Sequence, residues 1–237
     1  MFVNLLLLTL GLVFGSFISA LSYRYPRKMS VTRGRSICPN CKHKIAWYDN
    51  IPLFSFLVLG GKCRNCKKPI SWRYPLIELA TSLGFLLISL NIYYLIVFCI
   101  LVAIFVVDFE NQIIPDDFIF LGILVSAFTI YHSPFTYLFS GFLAASLLMF
   151  LHIVTKGRGM GLGDVKFAVW GGMLVGLPMT LVWLFLAFLT GGITGIILIL
   201  GRRAGLKDQI AFGPFLIISI GLTFIYGDRL LNLLFLR

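Results

Sequence analysis

Four of the five cysteines in this 237-residue chain come as two pairs, Cys38-Pro39-Asn40-Cys41 and Cys63-Arg64-Asn65-Cys66, separated by 21 residues. Two C-x-x-C pairs at this spacing supply the donor set of a closed, tetrahedral zinc site. Four thiolates leave no open coordination position, so Cys38, Cys41, Cys63 and Cys66 predict a structural metal and no chemistry at it. Two disulfides are the competing reading, which a reducing cytoplasm disfavours. A redox pair is a weaker alternative, because two matched pairs exceed what redox chemistry needs. Lys42, Lys44, Arg64, Lys67 and Lys68 flank the cysteines and offset the negative charge of such a site. Cys99 stands alone in an apolar run and reads as a small packing residue.

The nine acids are the second chemical resource. Asp49 lies among the cysteines and Asp228 in the last apolar run. Glu78, Asp108, Glu110, Asp116, Asp117, Asp164 and Asp208 all fall near the ends of apolar runs. An ionisable group at the edge of hydrocarbon costs a few kcal/mol or more, so each such acid asks for a function. Asp108 ends one run. Asp164 follows three alternating glycines in Gly159-Met160-Gly161-Leu162-Gly163-Asp164-Val165-Lys166. Two carboxylates that approach each other share a proton, because close like charges do not both ionise comfortably. One then serves as base toward a water while the other, protonated, polarises a peptide carbonyl. That is aspartyl-protease chemistry, with no covalent enzyme intermediate and no catalytic metal.

Plainer readings compete. Asp116 and Asp117 follow Pro115 and read as helix caps. A G-x-G-D pattern is short, and Asp164 alone reads as an N-cap after a flexible loop. Glu78 reads as a buried acid paired with a nearby arginine. His43, His132 and His152 fall at three separate places and form no Ser-His or Cys-His arrangement. They read as surface, interface and packing residues.

The elements that position these groups follow from composition. The chain is 59% hydrophobic and 12% charged, with a mean hydropathy of +0.97. Ordinary soluble domains are about 45–50% apolar and 25% charged. High hydrophobicity excludes intrinsic disorder. Continuous apolar runs, rather than alternating ones, disfavour a transmembrane β-barrel. The expectation is an all-α polytopic membrane protein. About eight transmembrane helices are expected, near 3–22, 76–91, 93–110, 116–132, 135–155, 164–178, 179–201 and 211–235. The organisation predicted is a first transmembrane helix (1–22), a small cytoplasmic tetra-cysteine domain (23–75) and a seven-helix membrane domain (76–237). No long-period repeat and no low-complexity tract is expected.

The net charge is +11, which could indicate nucleic acid. Its distribution points to a membrane instead. Twelve of the 20 Lys and Arg lie between Arg24 and Arg73, with Asp49 the one acid among them. Three more bases fall at Lys156–Lys166 and three at Arg202–Lys207. Eight spans put all three basic segments on one side, which the positive-inside rule assigns to the cytoplasm, leaving both termini outside. The basic insert would rest against anionic headgroups. The first apolar run has no basic side chain before it and a basic cluster after it, the reverse of a cleavable signal. It is expected to be a retained span.

With these features in hand, the sequence resembles the type IV prepilin peptidase family, the bacterial leader peptidases with a G-x-G-D aspartyl site. The first span Gly11-Leu12-Val13-Phe14-Gly15-Ser16-Phe17 with Tyr23-Arg24-Tyr25-Pro26 carries the resemblance. So do the stretches Cys38 to Pro52, Gly61 to Cys66, Pro69-Ile70-Ser71 and Arg73-Tyr74-Pro75 with Glu78. Asp108 with Ile114-Pro115-Asp116, Gly161 to Lys166, and Ala211-Phe212-Gly213-Pro214-Phe215 complete it.

The resemblance implies a membrane aspartyl endopeptidase of the bacterial cytoplasmic (inner) membrane. Its substrates would be type IV prepilin or pseudopilin precursors. The short basic leader is removed at the cytoplasmic face, the usual cut following a glycine. It implies Asp108 and Asp164 as the catalytic aspartates, with Gly161, Gly163, Lys166 and Glu110 in support. Many members also methylate the new N-terminus with S-adenosylmethionine, and the cysteine-bearing insert is usually associated with such bifunctional members. The sequence has no G-x-G-x-x-G-type nucleotide loop, so spacing does not show the methyltransferase. The competing function is a non-peptidase membrane transporter or scaffold with a zinc-ribbon docking domain. A transporter should carry charges at mid-depth and broken helices, whereas these acids gather at one face. A methyltransferase alone, with structural aspartates, is the third reading.

Overall fold

Long runs of Leu, Ile, Phe and Val with few polar interruptions can satisfy their backbone in lipid only as helices. The computed structural model describes residues 2–31, 34–88, 90–127, 134–203, 205 and 208–235. Among them lie α1 (Phe2–Arg24), α2 (Phe54–Val58), α3 (Arg73–Ile88), α4 (Ile92–Asn111) and α5 (Asp116–Ala127). α6 (Pro134–Val154), α7 (Leu162–Val175), α8 (Met179–Leu200) and α9 (Gly213–Phe235) follow. Two isolated antiparallel bridges, Ile37 with Lys44 and Lys62 with Pro69, occur in the cysteine insert.

Among the described residues, five helices are long and apolar enough to cross a membrane by length and composition. They are Phe2–Arg27, Ile92–Asn111, Phe135–Val154, Met179–Leu200 and Gly213–Leu233. The expected number of spans was about eight. The helices α3, α5 and α7 occupy the other three places but run only 16, 12 and 14 residues. At 1.5 Å per residue these are about 24, 18 and 21 Å long, short of a hydrocarbon core of about 30 Å. The expected 116–132 span reaches past the described part of α5, and His132 lies outside the described residues.

The chain divides into two compact units, Met1–Val106 and Val107–Arg237. In the first, α1 packs along α3 through Gly11 and Gly15. A Cβ at Gly11 would fall 2.5 Å from Ser82 Cα, and one at Gly15 would fall 2.6 Å from Glu78 Cα. This is the G-x-x-x-G device, in which missing side chains let two membrane helices touch backbone to backbone. Arg73 ties the polar end of the pair by donating to Ser19 O at 2.9 Å and Ser22 Oγ at 2.7 Å. Leu7, Phe85 and Leu95 form the buried cluster beneath.

In the second unit, α6 and α7 meet closely at Gly141 and Gly172, where a Cβ on Gly172 would lie 2.6 Å from Ser140 O. Two buried indoles satisfy their N–H groups across helices, as buried tryptophans must. Trp170 on α7 donates to Ser126 Oγ on α5 at 3.0 Å, and Trp183 on α8 donates to Leu216 O on α9 at 2.8 Å. These contacts tie α7 to α5 and α8 to the first turn of α9.

Candidate active site and metal site

The last turn of α4 carries Asp108, which is 4% exposed. The helix stops at Asn111, where Gln112 takes a left-handed backbone (φ 55°) and donates its N–H to Asp108 O at 2.8 Å. Such a cap turns the chain sharply. Ile113, Ile114 and Pro115 follow, and α5 begins at Asp116. The first turn of α7 carries Asp164, 9% exposed. The plainer reading of Asp164 as an N-cap does not hold, because Gly161 takes that position and Asp164 stands three residues later. Its carboxylate reaches back to accept the Gly161 N–H at 3.2 Å, the half of a capping box that an acid at this position supplies.

Ile114 connects the two carboxylate neighbourhoods. A Cβ on Gly163 would lie 3.2 Å from Ile114 Cβ, and one on Gly213 would lie 3.2 Å from Ile114 Cδ1. Gly213, the first residue of α9, donates its backbone N–H to Asp108 Oδ2 at 3.0 Å. A Cβ there would fall 2.6 Å from the same oxygen. Two buried acids from separate helices, each accepting one glycine N–H, therefore share one environment.

The other expected residues are placed differently. Glu110 lies exposed two residues beyond Asp108, outside the buried pair. Lys166 is exposed and holds Asp116 through contacts of 2.7 and 2.9 Å, which links the starts of α7 and α5. Asp116 is thus an interhelical ion-pair partner, where capping had been expected. Gly161 supplies the N–H just described, and Gly163 leaves room for Ile114. His152 does more than pack. Its Nδ1 lies 2.7 Å from Met160 O, and since a carbonyl only accepts, Nδ1 carries the proton. This bond anchors the glycine loop ahead of Asp164. The contribution of Gly213 was not foreseen. A glycine before a proline at a helix start, in Gly213-Pro214, was the available signal.

In the first unit the Sγ atoms of Cys38, Cys41, Cys63 and Cys66 all lie within 4.8 Å of one another. Tetrahedral zinc with 2.3 Å Zn–S bonds requires S···S separations of about 3.8 Å, so the four residues fit a zinc ion. Each pair sits in the same knuckle. Cys38 donates to His43 O and accepts from Lys42 N–H, while Cys63 donates to Lys68 O and accepts from Lys67 N–H, at 2.9–3.0 Å. Lys42 and Lys67 both adopt left-handed backbone, at φ 57° and 58°. Ile45 donates to Ser36 O as Ile70 does to Gly61 O. Beside the expected lack of a long-period repeat, the two knuckles share a short motif. Cys-x-Asn-Cys-Lys-x-x-Ile occurs twice, from Cys38 and from Cys63. The motif is short and three of its eight positions vary, so composition hides it. Backbone N–H groups point at the thiols: that of His43 draws Cys41 down to about 6, and those of Cys66 and Asn65 lower Cys63, while burial and the neighbouring thiols push Cys66 up to about 11. Donors so placed favour the thiolates that a metal binds.

Comparison with known proteins follows the same division. Residues 9–92 match the bacterial peptidase A24 N-terminal domain, and residues 95–196 match the type IV leader peptidase family. A prepilin leader peptidase/N-methyltransferase of Pseudomonas aeruginosa is 32% identical over 263 residues, covering 93% of this chain and 89% of that protein. The protein of the same description from Bacillus subtilis is 32% identical over 240 residues, with 96% of each covered. That of Aeromonas hydrophila is 33% identical over 211 residues, covering 83% of this chain and 73% of its own length. No solved structure gives a significant match.

Proposed function

The chain belongs to the type IV leader peptidase family, and from that premise we propose that Asp108 and Asp164 cut the leader from type IV prepilin-like precursors. What supports this reading is that Asp108 and Asp164 are both buried, and that Ile114 packs against Gly163 beside Asp164 and against Gly213, whose N–H Asp108 accepts. One carboxylate takes a proton from water as the water attacks the scissile carbonyl. The other, protonated, donates to the carbonyl oxygen. Collapse of the tetrahedral intermediate returns a proton to the leaving amine. Gly213 N–H and Gly161 N–H orient one oxygen of each acid, so little reorganisation is needed as the water reacts. Gly161 and Gly163 leave the space the loop needs, and the Lys166–Asp116 pair braces the entrance from outside. Glu110 is exposed and is assigned a peripheral role.

The protein is a helical membrane protein. The full topology proposed has eight spans, with α3, α5 and α7 as short membrane helices. The 23–75 insert faces the cytoplasm, both termini lie outside, and residues 76–237 form the peptidase domain of a bacterial inner-membrane protein. A precursor that is itself a membrane helix would present its cleavage site at the cytoplasmic boundary. Cys38, Cys41, Cys63 and Cys66 would hold structural zinc, which staples an insert too small to build much core. The names of the relatives support N-methylation of the cleaved product, for which S-adenosylmethionine would be the methyl donor. No residue of this chain is assigned to that transfer.

The test is incubation of the reconstituted protein with a prepilin-like precursor, with and without S-adenosylmethionine, followed by mass spectrometry. A cut before the apolar helix, lost in Asp108→Asn and Asp164→Asn, is expected, with a methyl increment only when the methyl donor is present. Full cleavage by either folded variant would falsify the assignment.

A further inference from the structure

Helix α2 has no place in the peptidase reading, yet it is the most apolar surface of the insert. Phe54, Leu57 and Val58 stand at i, i+3 and i+4, so they share one helical face. They are 61%, 74% and 64% exposed. The opposite side is occupied: buried Ser55 donates to Tyr48 O at 2.8 Å, and the Phe56 ring lies 5.0 Å from that of Trp72. A cytoplasmic surface would not spend three large apolar side chains this way without a partner.

The level at which α2 sits decides the partner. Leu53, the residue before α2, donates its N–H to Glu78 Oε2 at 2.8 Å. Glu78 is buried on α3, five residues past Arg73 and so about 8 Å along the helix. It also faces Gly15 of α1. Gly15 precedes Arg24 by nine residues, about 13 Å of helix rise, within the membrane-span candidate Phe2–Arg27. The start of α2 is therefore held well below the basic end of a spanning helix. At that level water is scarce, and non-helical backbone is tolerated only where its polar groups are satisfied by protein. Leu53 is such a place. It has a left-handed backbone, φ 56°, and a buried carboxylate supplied by the neighbouring helix takes its N–H.

We propose that residues 51–59 form a re-entrant element: α2 lies in the bilayer with Phe54, Leu57 and Val58 against lipid acyl chains, and Glu78 is the acceptor that lets Leu53 turn the chain at that depth. The insert is then part cytoplasmic metal knuckle and part membrane anchor. Lipid is the occupant that fits, because α2 is held to a helix pair whose own outward faces are apolar. Twelve bases against one acid between Arg24 and Arg73 suit an anionic headgroup layer above it.

The test uses the full chain in phosphatidylethanolamine–phosphatidylglycerol vesicles. Leu57 is replaced by p-acetylphenylalanine and coupled to a ketone-reactive nitroxide, which leaves the cysteines untouched. Asn40, exposed on the first knuckle, is labelled in the same way, and Val58 gives a second reading on the α2 face. Power-saturation measurements should show oxygen colliding with the labels at 57 and 58 several-fold more, relative to a water-soluble nickel chelate, than with the label at 40. Equal or greater nickel access at 57 and 58 overturns the proposal. Shielding from both reagents overturns it too, and with dipolar broadening would identify a second copy as the cover.

Discussion

The metal site and the acid pair are built in opposite ways. In the first unit, ligands three residues apart sit in a self-contained knuckle, and two knuckles repeat one backbone pattern. In the second, Asp108 and Asp164 are 56 residues apart in a chain where each sits on its own helix and Gly213 reaches in from a third. The knuckles need local turns and a metal. The acids need α4, α7 and α9 in register. Damage to the metal site should therefore stay within its unit, while small steric changes around the acids should be felt at once by the chemistry.

The sharpest way to break this contrast is to neutralise either acid. Asp108→Asn and Asp164→Asn preserve shape and remove the proton acceptor or donor. Each should lower the cleavage rate by about 10²–10⁴-fold, read by mass spectrometry of the precursor. Zinc content, measured by elemental analysis, should remain that of the parent protein. A variant that lost zinc together with activity would contradict the independence of the two sites.

Gly213→Ala comes next. The added Cβ would lie 2.6 Å from Asp108 Oδ2 and 3.2 Å from Ile114 Cδ1. A displacement near 1 Å costs about 10²-fold in rate, with substrate affinity little changed. Gly221→Ala, on the same helix with open space around it, should behave as the parent. Combining Gly213→Ala with Ile114→Val removes the isoleucine contact but keeps the one with the carboxylate. Activity should stay low in the pair, and recovery would shift the cause from the acid to the packing.

Much of this contrast could be read from residue types, for physical reasons. Thiolate sets obey a short spacing rule, so the cysteines announce their site. Asp108 and Asp164 stand out because charge is costly at a membrane boundary. What escaped was backbone chemistry. The N–H of Gly213 acts on Asp108 and the carbonyl of Met160 holds His152, and neither group has a side-chain signature. Span limits were harder to read, because apolar runs do not reveal where a helix starts or stops. Gly176 takes φ 72° just after α7, and α3 opens at Arg73, three residues ahead of the expected span. Asp116 was read as a cap because its partner, Lys166, lies 50 residues away.

Removing the metal tests the other half. Cys63→Ser or a strong chelator should abolish stoichiometric zinc and loosen the insert, seen as faster amide exchange across 36–70. Structural zinc contributes folding free energy directly, so the exchange change should be large. Cleavage should fall by no more than about tenfold, because the metal, closed by four thiolates, takes no part in the reaction. Loss of cleavage equal to that of Asp108→Asn would show that the knuckles serve the reaction itself.

The smallest effect concerns the clamp beside the second knuckle. Arg64 makes three hydrogen bonds to the Asp49 carboxylate, at 2.7–3.1 Å. Those bonds hold Asp49 below its ordinary value of 3.8. A group lowered in the folded state stabilises above its unfolded value and loses that contribution as pH falls through the folded one. The stabilisation is therefore complete at pH 5 and above, and disappears only in strong acid. Arg64 is 55% exposed and Asp49 11%, so the pair lies at the surface edge and its contribution is small and partly screened by salt. Parent and Asp49→Asn should differ slightly in thermal stability, by an amount constant from pH 5 to 8 and reduced at high ionic strength. A difference that instead grew or shrank between pH 6 and 7 would point to a histidine as the partner, and His43 beside the first knuckle would be the residue to replace.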